Sequence, residues 1–403
     1  MADSTLRFLH AGAFRLDEPL DGLSDPPAEW LDLLADAPYT AAQHVFATAM
    51  AEEVDFLLLV GRLLDPHRAG PRGMAFLLDQ FEQLAAKEIA VYWAASDLDH
   101  WEKWPSGCQQ PRNLHVFAHG HVEEVTHIRG GEPLATLLGR SGGSGGVRGA
   151  DFSADFSRYT IGMACGQPDK KSLSRHSVDY WALSGQSTRE TYFSKPRHAH
   201  DAGSPQGRSE LETGPHGCTM VRVAGGRTTI TPVAGDAVRW NEVTIEAPRP
   251  ATLETLESAM SDQIRRLSAD ADRPQLVVWN VEGIERVEGV GRDGKWRREL
   301  ASRLRKKHAT VDNGVWTVRI DAVLPEAPPE QWLEENTMLG DFLRELHEYS
   351  FRDDAERALR NHLAELGISS DIHEFCDLSD REERDRVLRE ASKLGADLLR
   401  GNA

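Results

Sequence analysis

Residues 54–60 read VDFLLLV, an apolar run that stops at Gly61. A short run of this kind predicts a strand buried on both faces, the habit of parallel sheets. LRFLH (6–10) and IAVYWAA (89–95) have the same character. YTAAQHVFATAMAEE (39–53) and GPRGMAFLLDQFEQLAAK (70–87) space their apolar residues for helices, with Pro71 in the first turn of the second. Strands alternating with helices predict a parallel sheet covered on both sides.

The middle of the chain changes character. NLHVF (113–117), HVEEVTHI (121–128), PLATLLG (133–139), YTIGMAC (159–165) and VDYWALS (178–184) read as short strands. The glycine- and serine-rich stretch 139–157 lacks the G-K-[S/T] of a phosphate-cradling loop and reads as a flexible insertion. CTMVRVAGGRTTITPV (218–233) predicts a hairpin turning at Gly225-Gly226. Past Trp240, TLETLESAMSDQIRRL (252–267) lines Leu253, Leu256, Met260, Ile264 and Leu267 along one helical face. QLVVWNVEG (275–283) and GVWTVRIDAV (314–323) are strands of the same small α+β module. PEAPPE (325–330) is a linker, and the rest is helical, with Gly367 capping one helix and Ser379 starting another. The predicted divisions are 1–240, 241–325 and 326–403.

Composition narrows the function classes. The 403 residues carry a net charge of −18, a poor basis for non-specific nucleic-acid binding, which rests on Lys and Arg releasing counterions. The four cysteines, Cys108, Cys165, Cys218 and Cys376, form no C-x-x-C pair, so neither a zinc ribbon nor a disulfide framework is indicated. No apolar run approaches the ~20 residues that span a bilayer, and no signal peptide is visible. These features predict a cytoplasmic protein without a membrane partner. His100, His115, His119, His121 and His127 are scattered, with His119 and His121 expected on one face of an exposed edge strand.

Six segments then carry a resemblance: FLHAGAFRLDEPLDGLSD, VDFLLLVGRLLD, IAVYWAASDLDHW, YTIGMACGQ, VDYWALSGQSTRE and GSPQGRSELETGPHGC. Together they resemble the calcineurin-like metallophosphoesterases, and within these the SbcD/YhaO-type DNA-repair exonuclease subunits, over roughly residues 6 to 240. The resemblance implies a four-layer α/β sandwich, a small α+β capping module and a helical C-terminal segment. It also implies two manganese ions held by D-x-H, G-D-x-x-D, G-N-H-D, a lone histidine and G-H-x-H. Two such metals clamp a phosphodiester and activate a water.

Carried over position by position, the D-x-H pair becomes Ala13 and Arg15, and the metal-bridging carboxylate becomes Arg62. The amide ligand and catalytic imidazole of G-N-H-D become Asp97 and Leu98. The lone histidine becomes Cys165, and the G-H-x-H pair becomes Gly185 and Ser187. A guanidinium has no lone pair to offer a metal. The metals are therefore expected to be lost. Arg15 and Arg62 are expected either to fork onto a phosphate or to pair with Asp97 and Asp99 as an internal ion-pair plug. Asp65 reads as a turn aspartate.

Three functional readings follow. In the first the chain is a non-catalytic homodimeric scaffold or regulatory subunit, bound through its C-terminal helices to the SMC-like coiled-coil ATPase that the resemblance implies, with DNA reached through the complex. In the second it is a hydrolase with a mononuclear metal site at Asp97, Asp99, His100 and Cys165. In the third Arg15 and Arg62 sense phosphate or DNA ends.

Overall fold

The computed structural model describes residues 5–23, 26–143, 145–269, 271–287, 290, 294–310, 314–323, 330–352, 354–365 and 381–399. The chain forms two compact units, one of residues 1–241, 271–276 and 310–314, the other of residues 242–270, 277–309 and 315–403.

Two six-stranded sheets make the first unit. The first contains Leu6–Ala11 (β1), Phe56–Val60 (β2), Ala90–Ala94 (β3), Leu114–Val116 (β4), Gly217–Ala224 (β11) and Arg227–Ala234 (β12) in the order β12-β11-β1-β2-β3-β4. Strands β1 to β4 run parallel, and the β11–β12 hairpin joins β1 antiparallel. The second contains Glu123–Arg129 (β5), Glu132–Arg140 (β6), Tyr159–Cys165 (β7), Tyr180–Ser184 (β8), Glu190–Phe193 (β9) and His198–Asp201 (β10) in the order β5-β6-β7-β8-β10-β9. Its inner strands β6, β7, β8 and β10 are parallel, with antiparallel strands at both edges.

The period-two geometry of a strand explains the doubly apolar runs. Phe8, Phe56, Leu58 and Val60 point inward and meet Leu137, Ile161, Met163 and Tyr180 of the facing sheet. Leu9, Leu57 and Leu59 point outward, under Val45 and Phe46 of Ala28–Ala51 (α1) and Leu77 and Phe81 of Gly70–Ala86 (α2). Leu138, Ala164, Trp181 and Leu183 face outward from the second sheet, covered by Phe152, Val178 and Leu173, the last in the short helix Lys170–Ser174 (α3). Helices, sheet, sheet and a thin outer cover give the four-layer α/β sandwich that the resemblance implied.

A polar row lies buried between the layers. His10 Nδ1 is 3.0 Å from the Tyr180 hydroxyl. The His200 ring is held between Thr219 at 2.8 Å and Thr191 at 2.9 Å.

Some elements differ from expectation. Helix α1 starts at Ala28 rather than residue 39 and carries Pro38 within it, with Trp30, Leu34 and Ala37 buried at helical spacing. Strand β5 begins at Glu123, so His119 and His121 are not strand residues. His127 lies on β5 and is buried. Strands β9 and β10 and helix α3 had no apolar pattern to mark them.

In the second unit, Arg239–Glu246 (β13), Gln275–Glu282 (β14) and Val315–Val323 (β15) form a three-stranded sheet. Its core gathers Leu256, Met260 and Ile264 of Leu253–Ala269 (α4) with Trp296, Leu300 and Leu304 of Lys295–His308 (α5) and Val277 and Trp279 of β14. Glu330–Glu334 (α6), Met338–Phe351 (α7), Ala355–Glu365 (α8) and Arg381–Leu399 (α9) complete it, with Trp332, Leu339, Leu343 and Ala396 packed together. Gly367, Ser379 and all but the last residue of the 325–330 linker lie outside the described residues. Among the described residues no helix is long and apolar enough to cross a membrane.

Two predictions follow from this packing. Gly162 lies beneath the indole of Trp181, where a Cβ would come within 2.3 Å of the ring. Gly162→Ala is expected to cost about 1–3 kcal/mol by overpacking, read from urea unfolding. Burial, then repulsion from Arg189, lowers His200 to about 4 from the usual 6.5. A lowered imidazole contributes its stability above pH 6.5 and loses it as pH falls toward 4. His200→Gln should flatten the dependence of the unfolding midpoint on pH over that interval.

Candidate functional site

The parallel strands end in loops that meet along one rim. The Cys165 thiol at the end of β7 lies 3.4 Å from the Ala94 carbonyl at the end of β3, and His119 bridges to Ser141. The rim gathers Ala13–Arg15 after β1, Gly61–Arg62 after β2, Ser96–Asp99 after β3, and Ser184–Gly185 at β8.

Arginines dominate one end of this rim. Arg15 sits at φ 51°, a left-handed backbone that only a few per cent of non-glycine residues adopt. Its Nη2 donates to both carboxylate oxygens of Glu212 at 3.0 Å and to Ser204 Oγ at 3.1 Å. Its Nη1 lies 3.5 Å from Glu18. Arg62 donates to the same Glu18 carboxylate, and its Nη2 is 3.9 Å from Asp17. Arg208, buried behind them, donates to the carbonyls of Phe14, Glu18 and, at 2.9 Å, Arg15. Burial, reinforced by Arg15, pushes Arg208 down to about 9. Burial acts to raise Glu212, but Arg15, Ser187 and the Arg208 amide outweigh it and hold the carboxyl below its ordinary value.

At the other end, Asp97 accepts from His119 Nε2 at 2.8 Å and from the Gly143 amide at 3.1 Å. These bonds hold its carboxyl below the usual range. The contact requires glycine at 142: φ is 72°, and a Cβ would lie 2.4 Å from His119 Nε2 and 2.5 Å from Asp97 Oδ1. Asp99 is fully buried and spends both oxygens locally. One accepts from the Leu63 amide at 2.6 Å, the other from the Ser96 amide and hydroxyl at 3.0 and 2.7 Å. Burial pushes Asp99 up to about 7. Asp201 does the same work across the rim, accepting from the amides of Gly185, Gln186 and Gly203, and burial raises it to about 6.

The expected plug exists with different carboxylates. Asp97 and Asp99 are not the partners of Arg15 and Arg62; Glu18, Glu212 and Asp17 are. Asp99 cannot turn to an arginine without abandoning four backbone and hydroxyl donors. Sequence reasoning passed over Glu18, Arg208 and Glu212, although all three stand in quoted segments; Arg208 and Glu212 are four residues apart in GSPQGRSELETGPHGC. Asp65 Oδ1 accepts from the His67 amide at 2.9 Å, the bond of a turn aspartate.

These residues do not fit a pair of divalent metals. Where the resemblance would place the bridging carboxylate stands the guanidinium of Arg62, Ala13, Leu98 and Gly185 offer no side-chain donor atom, and Ser187 is bonded to Glu212. Cys165 is pushed up to about 12, first by burial and then by Asp99, and its thiol donates to the Ala94 carbonyl. His100 Nε2 lies 3.2 Å from the Phe117 carbonyl. Among the described residues no three His, Cys, Asp or Glu side chains are arranged to hold a metal. The mononuclear set of Asp97, Asp99, His100 and Cys165 is therefore not assembled.

No family model matches the chain. It is similar to an uncharacterized metallophosphoesterase of Bacillus subtilis (strain 168), YhaO, at 24 % identity over 339 residues, 78 % of this chain and 81 % of that protein. A solved structure titled GAP50, the anchor in the inner membrane complex of Plasmodium, aligns at 12 % identity and TM-score 0.32 over 57 % of this chain and 85 % of that one.

Glu212→Ala would leave Arg15 short of its closest carboxylate in a part-buried cluster. It is expected to destabilise the fold by roughly 3 kcal/mol, the scale of a broken buried pair, with Glu212→Gln costing less. Chemical denaturation of the two variants checks this.

Proposed function

We propose that this chain is a non-catalytic relative of the metallophosphoesterases that acts as a scaffold or regulatory subunit. One observation supports the reading: Arg15 and Arg62, at positions the resemblance assigns to metal ligands, are neutralised by the chain's own carboxylates. A divalent cation among fixed guanidiniums is repelled in a medium where charge is poorly screened. Two-metal catalysis needs carboxylate and imidazole donors, and these positions supply none that is free to serve.

In this reading the partner is the SMC-like coiled-coil ATPase that the resemblance brings to mind, the chain acts as a homodimer in the cytoplasm, and DNA is reached through the complex. The C-terminal helix supports a docking role: Leu394 and Leu398, one turn apart on α9, are 61 % and 57 % exposed. An exposed apolar stripe on an amphipathic helix is suited to a partner helix.

The test is metal content of the purified full-length protein together with manganese-dependent hydrolysis of bis(p-nitrophenyl) phosphate and of DNA. The expected result is no stoichiometric metal and no hydrolysis above a protein-free blank. Stoichiometric manganese, with hydrolysis lost in Asp97→Ala, would return the chain to the active enzymes.

A further inference from the structure

Within the arginine cluster one carboxylate differs from the others. Glu18 is shared, reaching Arg15 Nη1 at 3.5 Å and bonding Arg62. It is also the most open of the three: its side chain is 31 % exposed, against 11 % for Glu212 and none for Asp17. Its backbone is pinned, the amide donating to the Arg15 carbonyl at 3.0 Å and the carbonyl accepting from Arg208. Side-chain torsions alone therefore carry the carboxylate into solvent while the loop keeps its shape.

Charge sets what replaces it. Arg15, Arg62 and Arg208 balance Asp17, Glu18 and Glu212. Without Glu18, Arg15 keeps Glu212 and Arg62 keeps Asp17, so the cluster is left with a surplus of one positive charge. Two guanidiniums facing one carboxylate present the forked donors that also suit a phosphate oxygen pair. Arg15 holds a left-handed backbone at φ 51° while its side chain takes part in this cluster.

We propose that Glu18 is a resident stand-in for an anionic ligand, and that a phosphodiester monoanion displaces it from Arg15 and Arg62. A diester carries the single charge that Glu18 vacates, whereas a monoester dianion exceeds it. The inference rests on the reading of a pocket without metals and adds to it a ligand class and a built-in competitor.

The experiment uses full-length protein in chelator-treated buffer, titrated calorimetrically with diethyl phosphate, phenyl phosphate and a short single-stranded oligothymidylate. Glu18→Gln keeps size and removes charge, and is expected to bind diethyl phosphate roughly tenfold more tightly than the unaltered protein. Adding Arg62→Lys should reverse most of the gain, because a point charge replaces the fork. Both variants are checked for an unchanged unfolding midpoint within a few degrees. A parallel gain with the oligothymidylate identifies a nucleic-acid backbone as the source of the diester; a gain with diethyl phosphate alone identifies a small diester. No tightening in Glu18→Gln, or an equal gain for phenyl phosphate, overturns the proposal. Metal content measured on the same samples separates the two readings: stoichiometric metal overturns the non-catalytic reading, while a failed diester titration in metal-free protein overturns only this one.

Discussion

A guanidinium cannot shed its proton, so wherever one is buried its charge has to be met on the spot. That constraint organises the strand-end rim of this protein. Arg62 follows β2 directly and is largely enclosed. Asp17 and Glu18 are drawn to it, Glu18 brings Arg15, and Arg15 brings Glu212. Arg208 then stitches the first loop by three of its carbonyls, at Phe14, Arg15 and Glu18. The loops after β1 and β2 share a buried apolar base of Phe14, Leu16, Leu63 and Leu64, and charge joins them in turn to the segment approaching β11. The same side chains that disqualify the rim as a dinuclear metal centre also close its shape.

A second set of interactions holds the rim from beneath. Asp99 ties the turn after β3 to the turn after β2, and Asp201 ties the ends of β8 and β10. Both carboxylates answer backbone amides, which have no other partner where strands end. Neither has an oxygen to spare for chemistry. The exposed pair at the far end, Asp97 with His119, rests on glycine at 142 rather than on any buried charge.

The large features of this fold are legible in the sequence where strands are apolar on both faces. β2, β3, β7 and β8 announce themselves because each is packed between layers. β10 does not: it reads HAHD, yet His200 and Asp201 are buried, satisfied by threonines and by amides that no linear pattern reveals. Pro38 disguised the first eleven residues of α1, because a helix that tolerates an internal proline breaks the usual stop signal. At the site, motif spacing pointed to the loops that form the rim, but not to who would pair with whom. Asp99 bonds the amides beside Arg62 and Asp97 lies at the far end, while the partners of Arg15 are 3 and 197 residues away. Pairing is decided by which oxygens the backbone has already claimed, and that is a property of the folded loops.

The division of labour between Asp99 and its neighbours has a consequence for engineering. Loop shape is held by Asp99, Asp201 and Arg208, none of which occupies one of the altered ligand positions. Of the positions the resemblance assigns to ligands, Ala13, Leu98 and Gly185 lend the frame no polar side-chain atom, whereas Arg15 and Arg62 help to close it. The rim is a socket whose housing is wired to the sheets largely independently of the side chains it displays. Fitting it with carboxylates and imidazoles, together with the removal of Glu18, calls for a change of side chains and not for a new backbone.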